Sequence, residues 1–187
     1  MNFPDYIKNI VPLSSDAEKE VISFFHKVEL KKGDFLFRQG EVCNKIFFIE
    51  QGLARVFYYT EKGKEITAWF SDEQSFITAI ESFRHKTHAN ANCELLEDSV
   101  LYVIPISELD KLLNQNHDFA KIAFHFLFKI TNDFVEFVAS IKFQPAKEKY
   151  ANLLQHHPQI FQRAPLVQIA SYLGITPETL SRLRAEK

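Results

Sequence analysis

The sequence predicts an α+β chain in three parts: a β jelly-roll barrel, one long dimerisation helix and a C-terminal helix-turn-helix. Three observations predict this. Apolar residues recur with period two between Gly33 and Ile104, and four of the five glycines of the chain mark turns there. A glycine-free stretch of helical period then runs from Asp118 to Phe143. Finally, Leu166 to Lys187 reads as two short helices around Gly174. The expected limits are residues 1–117 for the barrel, 118–143 for the helix and 144–187 for the last part.

In chain order, Ser15 and Glu18 form a capping-box signature, and Ala17, Val21, Phe24, Phe25 and Val28 follow at helical spacing. A helix from about Asp16 to His26 is expected, with the His26 charge at its C-terminal end. Strand patterns follow at Phe35 and Phe37, Lys45 to Ile49, Arg55 to Tyr59 and Glu65 to Phe70. After Asp72-Glu73 the alternation lapses. Ser75 to Ile80 could form a short helix, and Glu81 to Asn92 reads as a polar loop. Leu95 to Asp98 and Val100 to Ile104 return to strand, which Pro105 ends.

Ser107 with Asp110 can cap a short helix through Leu113, with a break near Asn116. The long helix that follows would span roughly 39 Å at ~1.5 Å per residue. Phe119, Ile122, Phe126, Ile130, Phe134, Phe137 and Ile141 form one stripe, widened by Ala123, Phe124, Leu127, Phe128, Val135 and Val138. Recurrent polar residues (Lys121, His125, Lys129, Asp133, Glu136) argue against a membrane span. A helix this apolar needs cover on two sides, and the barrel supplies one. A parallel coiled coil with a second copy fits, the stripe being its expected interface; a core helix within one chain is the alternative.

Pro145 breaks that helix, and Tyr150, Leu153 and Leu154 mark another that ends at His156-His157-Pro158. In the closing stretch Ile169, Ala170 and Leu173 face inward, and Gly174 supplies the left-handed turn. Thr176 is the expected N-cap, with Pro177 in the first helical position. Leu180 and Leu183 continue the apolar face, while Glu178, Ser181 and Arg182 point away. In a helix-turn-helix the second helix enters the DNA major groove. An ordinary helical hairpin gives the same pattern.

Composition bounds the partners. The formal net charge is −2 over 187 residues, so DNA binding would need a local basic patch. Arg163, Arg182, Arg184 and Lys187 supply one, against Glu178 and Glu186. Cys43 and Cys93 form no CxxC pair, which fits a reducing cytoplasm and offers no zinc or iron–sulfur ligand set. No signal peptide, membrane-length apolar run, nucleophile elbow, P-loop or HExxH occurs. No enzymatic activity, metal or cofactor is expected, and no membrane partner. A metal-binding cupin is the competing reading of the barrel, although His85 and His88 lack flanking strand alternation.

The stretches KKGDFLFRQGE, IFFIEQGLARVF, LEDSVLYVIP and IASYLGITPETLSRLR resemble the cyclic-AMP receptor protein and fumarate–nitrate regulator (Crp–Fnr) family over nearly the whole chain. The resemblance implies a cyclic-nucleotide-binding-like barrel, a dimer helix and a DNA-reading head in a cytoplasmic transcription regulator. Its partners would be a second copy and double-stranded DNA, with RNA polymerase a further candidate. Glu178 and Arg182 match the family's base-contacting pair; Pro177 replaces a DNA-contacting arginine. The expected DNA contacts are Thr176, Pro177, Glu178, Ser181, Arg182, Arg184 and Lys187. Ligand-binding members carry a glutamate and later an arginine that grips a cyclic phosphate. Here Thr78 stands near the first, and Asn90 or Ala91 near the second. A cyclic phosphate lacks its charge-assisted partner, so cyclic AMP is not expected as effector. The remaining candidate effector contacts are Ser75, Thr78, Arg84, Lys86 and Asn90, in a segment that could also be a solvated loop. The family's β wing is expected to be missing, since the sequence ends at Lys187. The competing function is an effector-binding or interaction module with a vestigial DNA head.

Overall fold

The structure is a computed structural model, and it describes residues 2–10 and 14–185. Two short helices lead in, α1 (Phe3–Ile10) and α2 (Ser15–Ser23). Phe3 and Ile7, one turn apart, are fully buried against Phe25, Phe48 and Ile104. The N-cap of α2 is Ser14, whose Oγ accepts from the Ala17 N–H at 3.2 Å, one residue before the expected cap. His26 does not end a helix. It opens strand β1 (His26–Leu30), because Val28 and Leu30 alternate into the barrel core and the polar residues between them face out.

The barrel continues with β2 (Phe35–Phe37), β3 (Lys45–Gln51), β4 (Ala54–Tyr59), β5 (Glu65–Ser71) and β6 (Phe76–Ile77), then α3 (Ile80–His85), β7 (Asn92–Leu95) and β8 (Ser99–Pro105). These form two antiparallel four-stranded sheets, ordered β1-β8-β3-β6 and β2-β7-β4-β5. Inward residues of both sheets, among them Phe37, Phe47, Ile49, Cys93, Leu95 and Leu101, make the core. Phe76 and Ile77 pair with Phe48 and Phe47 as strand, not helix. The segment expected as polar loop hides α3, which a left-handed Lys86 ends. Gly52 is obligatory at its turn: a Cβ there would lie 2.1 Å from Ser99 Oγ, at φ +131°.

Helix α4 (Ile106–Gln115) starts at the N-cap Pro105, before the expected Ser107. Helix α5 (His117–Phe143) follows at once, capped by Asn116, whose Oδ1 accepts from Phe119 N–H at 3.0 Å. The Asn116 amide donates to Glu20 Oε2 at 2.7 Å, which ties the start of α5 to α2. The chain breaks at Gln144-Pro145 and continues as α6 (Ala146–His156), α7 (Ile160–Arg163), α8 (Leu166–Leu173) and α9 (Pro177–Ala185). Among the described residues no helix is long and apolar enough to cross a membrane.

The head, α6 to α9, packs on the barrel. Leu53, Phe70 and Leu96 of the barrel share one buried cluster with Tyr150, Leu153, Ile169, Leu173 and Leu180. Strand β5 lies at a sheet edge, and α8 covers it: the Thr67 N–H donates to Ser171 Oγ at 3.0 Å. This satisfies an edge donor that would otherwise invite pairing with another chain.

Candidate nucleic-acid interface and effector region

The turn between α8 and α9 is built by Gly174, at φ 67°, with the Ile175 N–H donating to the Ala170 carbonyl at 3.0 Å. That closes α8 and aims α9 away from it. Thr176 Oγ1 accepts from the Thr179 N–H at 3.2 Å, so its hydroxyl caps the helix as its position predicts. Leu180 is buried and holds α9 down. Pro177, Glu178, Ser181, Arg182 and Arg184 are all exposed. Arg182 makes one long contact, 3.4 Å to Thr179 Oγ1. A hydrogen bond from Thr176, helped by backbone N–H and the Arg182 charge, holds the Glu178 carboxyl below the usual range. The outer face of α9 therefore presents an ionised carboxylate and a guanidinium one turn apart. Lys187 lies outside the described residues.

Arg163 does not belong to this surface, contrary to the expected basic patch. Its guanidinium donates to Glu73 Oε2 and Oε1 at 2.9 and 2.7 Å and to both oxygens of Glu97. Glu73 also accepts from the Gly52 N–H at 3.0 Å. Beside it, Asp72 takes bonds from Gln159 and from His157, the latter at 3.3 Å. Burial raises the Asp72 carboxyl, but the bond and charge of His157 outweigh it and hold it low. The bond to Asp72 raises the His157 imidazole, against burial. Phe137 of α5 stacks on Tyr172 at 5.2 Å and meets Trp69 edge-on at 5.0 Å. Burial pushes the Tyr172 hydroxyl up to about 12. Charged and aromatic contacts thus join barrel, long helix and head.

The expected coiled-coil stripe divides between two faces. Phe119 and Ile122 are buried in the chain's own core, and Phe126 stacks on Tyr6 and meets Phe76 at a tilt. With Phe137 on Trp69 and Tyr172, these four belong to the side that the chain itself covers, which corrects the expected interface. Ile130, Phe134 and Ile141 are exposed, together with Phe124 (71%), Leu127 (64%), Phe128 (68%) and Val135. The barrel-side face begins earlier around the helix because α1 and β6 reach it, which spacing alone does not reveal.

In the effector region the polar groups do not converge. Thr78 Oγ1 donates to the Lys45 carbonyl at 2.8 Å. Ser75 lends its carbonyl to the Ile49 N–H, and Arg84, Lys86 and Asn90 are exposed. What faces inward is Ile77, Ala89 and Ala91, with Ala79 packed against them. Ser82, which sequence reasoning missed, is buried and accepts from the Cys43 N–H at 2.7 Å. Arg55, also missed, is buried between Glu94 and Glu65 and lies over the Phe57 ring. Its only signal was an arginine inside an apolar strand. Among the described residues no three metal-ligating side chains converge. An apolar cleft of about 330 Å3 opens between Val28, Leu30, Phe47 and Val103, with His26 and Lys45 at its edge.

Comparison with known proteins agrees with this architecture. Residues 27–116 match the cyclic nucleotide-binding domain model. The chain is 23% identical over 163 residues to an anaerobic regulatory protein of Bacillus subtilis, covering 87% of this chain and 63% of that one. It is 26% identical over 165 residues to the transcriptional activator protein anr of Pseudomonas aeruginosa, covering 82% and 67%. The chain thus spans about two thirds of the length of these relatives, slightly less for the first. The chain resembles regulators of the Crp–Fnr type. The structure of FixK2 from Bradyrhizobium japonicum superposes with a TM-score of 0.73 at 15% identity, covering 87% of this chain and 83% of that one. At that identity the likeness speaks for the fold. Its relatives of known role are transcription regulators.

Proposed function

We propose that this Crp–Fnr-like chain is a sequence-specific DNA-binding transcription regulator that acts in the cytoplasm as a homodimer. The observation that carries the reading is α9: Glu178, Ser181 and Arg182 are exposed and close together, on a helix whose buried side is anchored by Leu180. Arginine can donate twice to guanine O6 and N7, and glutamate can accept from cytosine N4. Arg184 suits a phosphate contact, which positions without specifying. The names of the relatives support the reading.

The dimer follows from the uncovered face of α5. Phe124, Leu127, Phe128, Phe134, Val135 and Ile141 include two sets of seven-residue repeats (127, 134, 141 and 128, 135), with Phe124 one turn before them. A seam of that period is what two parallel helices bury against each other. Its one hydroxyl, Thr131, is satisfied within the helix by the Leu127 carbonyl at 2.7 Å. A dimer would present two α9 helices to half-sites about one helical turn apart. RNA polymerase would be the further partner of the DNA-bound form. The barrel would sense something other than a cyclic nucleotide, since alanines stand where an anion would need a cation. Its apolar cleft suits a small apolar effector.

The test is selection of bound sites from random DNA. A near-palindromic consensus supports the reading. Salt-insensitive or absent binding would favour an interaction module with a vestigial head.

A further inference from the structure

Taking the apolar cleft of the barrel as the effector site, we propose that it binds a medium-chain aliphatic carboxylate. The anionic head meets Lys45, and the tail lies on the apolar floor. The cleft measures about 330 Å3, within the ~300–1,000 Å3 range of small-molecule sites.

Sheet register builds the cleft. His26, Val28 and Leu30 of β1, Val103 and Pro105 of β8, and Lys45 and Phe47 of β3 line it. They occupy alternate positions on three adjacent strands, on the face that turns toward the barrel core. His26, Val103 and Phe47 share one cross-strand row, and Lys45 sits beside Pro105 in the row at the sheet's end. Phe47 and Val103 are buried and form the floor, whereas Val28, Leu30 and Pro105 are only half-buried. No residue of the other sheet lines this end, so its apolar surface stays open. Two row steps separate Lys45 from Val28. That is about 14 Å at ~3.4 Å per residue, room for a chain of several methylenes.

The polar groups set the chemistry of the head. Among the described residues no carboxylate lines the cleft. His26 is turned to Glu108, its Nε2 lying 3.4 Å from Oε2. The Lys45 ammonium has no ion pair or hydrogen bond among the described residues, while the Thr78 hydroxyl fixes the Lys45 carbonyl at 2.8 Å. One open cation at the end of an apolar floor matches an amphipathic anion. Buried methylenes supply affinity, and the ammonium fixes orientation. A purely apolar ligand makes no use of Lys45, and a phosphate makes none of the floor. Pro105 is also the N-cap of α4, so occupancy touches the segment that leads into α5. A ligand that prefers one placement of that segment shifts its population.

The experiment is calorimetric titration of the whole chain at neutral pH with butanoate, hexanoate and octanoate, and with octanamide as the uncharged control. Saturable binding of one octanoate per chain is expected, with affinity rising about two- to fourfold per added methylene. Octanamide should bind at least about fivefold more weakly. Lys45→Gln should weaken octanoate by the same factor without lowering the melting temperature. Equal binding of octanamide and octanoate, or unchanged octanoate affinity in Lys45→Gln, would overturn the carboxylate and leave an apolar effector site standing. Affinity independent of chain length would take the tail off the floor and overturn the proposal too. Saturable binding of none of the four at millimolar concentration would overturn both the carboxylate and the effector site.

Discussion

Helix α9 and the segment from Ser75 to Asn90 are the two stretches where the family's chemistry would concentrate, and they have had opposite fates. On α9 the polar groups stay outside, bonded only to neighbours on the same helix turn, and the apolar ones hold the helix to the head. In the barrel segment the polar groups are spent on the chain itself or turned to solvent, and alanines fill the inside. A recognition surface needs rigid support and free donors; a ligand pocket also needs unfilled volume lined by the right charge. The first condition is kept here. For the second, the inner side of the barrel segment carries alanines in place of a cation.

The largest effect in this comparison concerns what brings two α9 helices together. Phe128→Asp would place a charge in the proposed seam, where burial without a partner is prohibitive. Light scattering should report monomers, and DNA affinity should fall by at least about a hundredfold, since one half-site is lost. A Phe128→Asp protein that remains dimeric would place the interface elsewhere. Phe126 and Ile122 are poor choices for this test, because they pack within the chain.

Next comes the junction that supports α9 from the barrel. Arg163→Ala leaves Glu73 and Glu97 facing each other without their cation. The loss should be about 2 kcal/mol, discounted for partial exposure. Calorimetric melting should shift down by roughly 4–8 °C. If melting is unchanged but DNA binding falls uniformly, Arg163 is a phosphate contact after all.

Two changes on α9 itself separate reading from positioning. Arg182→Ala should cost ~1–3 kcal/mol at one base pair per half-site and relax the preference there. Arg184→Ala should weaken every sequence alike and reduce the slope of log K against log salt by about one per chain. If the selected consensus is unchanged by Arg182→Ala, the arginine does not read bases.

The smallest effect is on pH. The Asp72–His157 contact raises the histidine, so its contribution is fully present below ~6.5 and fades as pH rises through the higher folded value. It lowers the aspartate, so that share is present above ~3.9 and fades as pH falls through the lower folded value. Wild type and His157→Ala should therefore differ most in melting temperature between about pH 4 and 6.5, and least in alkali. A difference that grows with rising pH would contradict the assignment.

Much of this was legible from local chemistry. Gly174 and Thr176 announce the turn and cap of the head, and Gly52 and Gly63 punctuate the strands, because each acts on its own neighbours. Strand β1 was not, since Val28 continues the helical spacing of α2 as well as it alternates with Leu30. Only pairing with β8, some seventy residues on, decides between the two. The same holds for Arg163: its partners Glu73 and Glu97 lie 90 and 66 residues away, and an arginine beside a helix-turn-helix reads as a DNA contact until they are seen. On α5 the apolar residues were identified correctly, but which of them face outward depends on where α1 and β6 dock.

The proposed regulator reads DNA through α9, and its barrel does not answer to cyclic nucleotides. One measurement tests both halves: fluorescence anisotropy of the selected operator titrated with wild-type chain, with and without millimolar cyclic AMP. Tight, salt-dependent binding that prefers the operator over random DNA by ~10³-fold or more is expected, with the same curve when cyclic AMP is present. A curve that tightens with cyclic AMP, or no preference for any sequence under either condition, would contradict it.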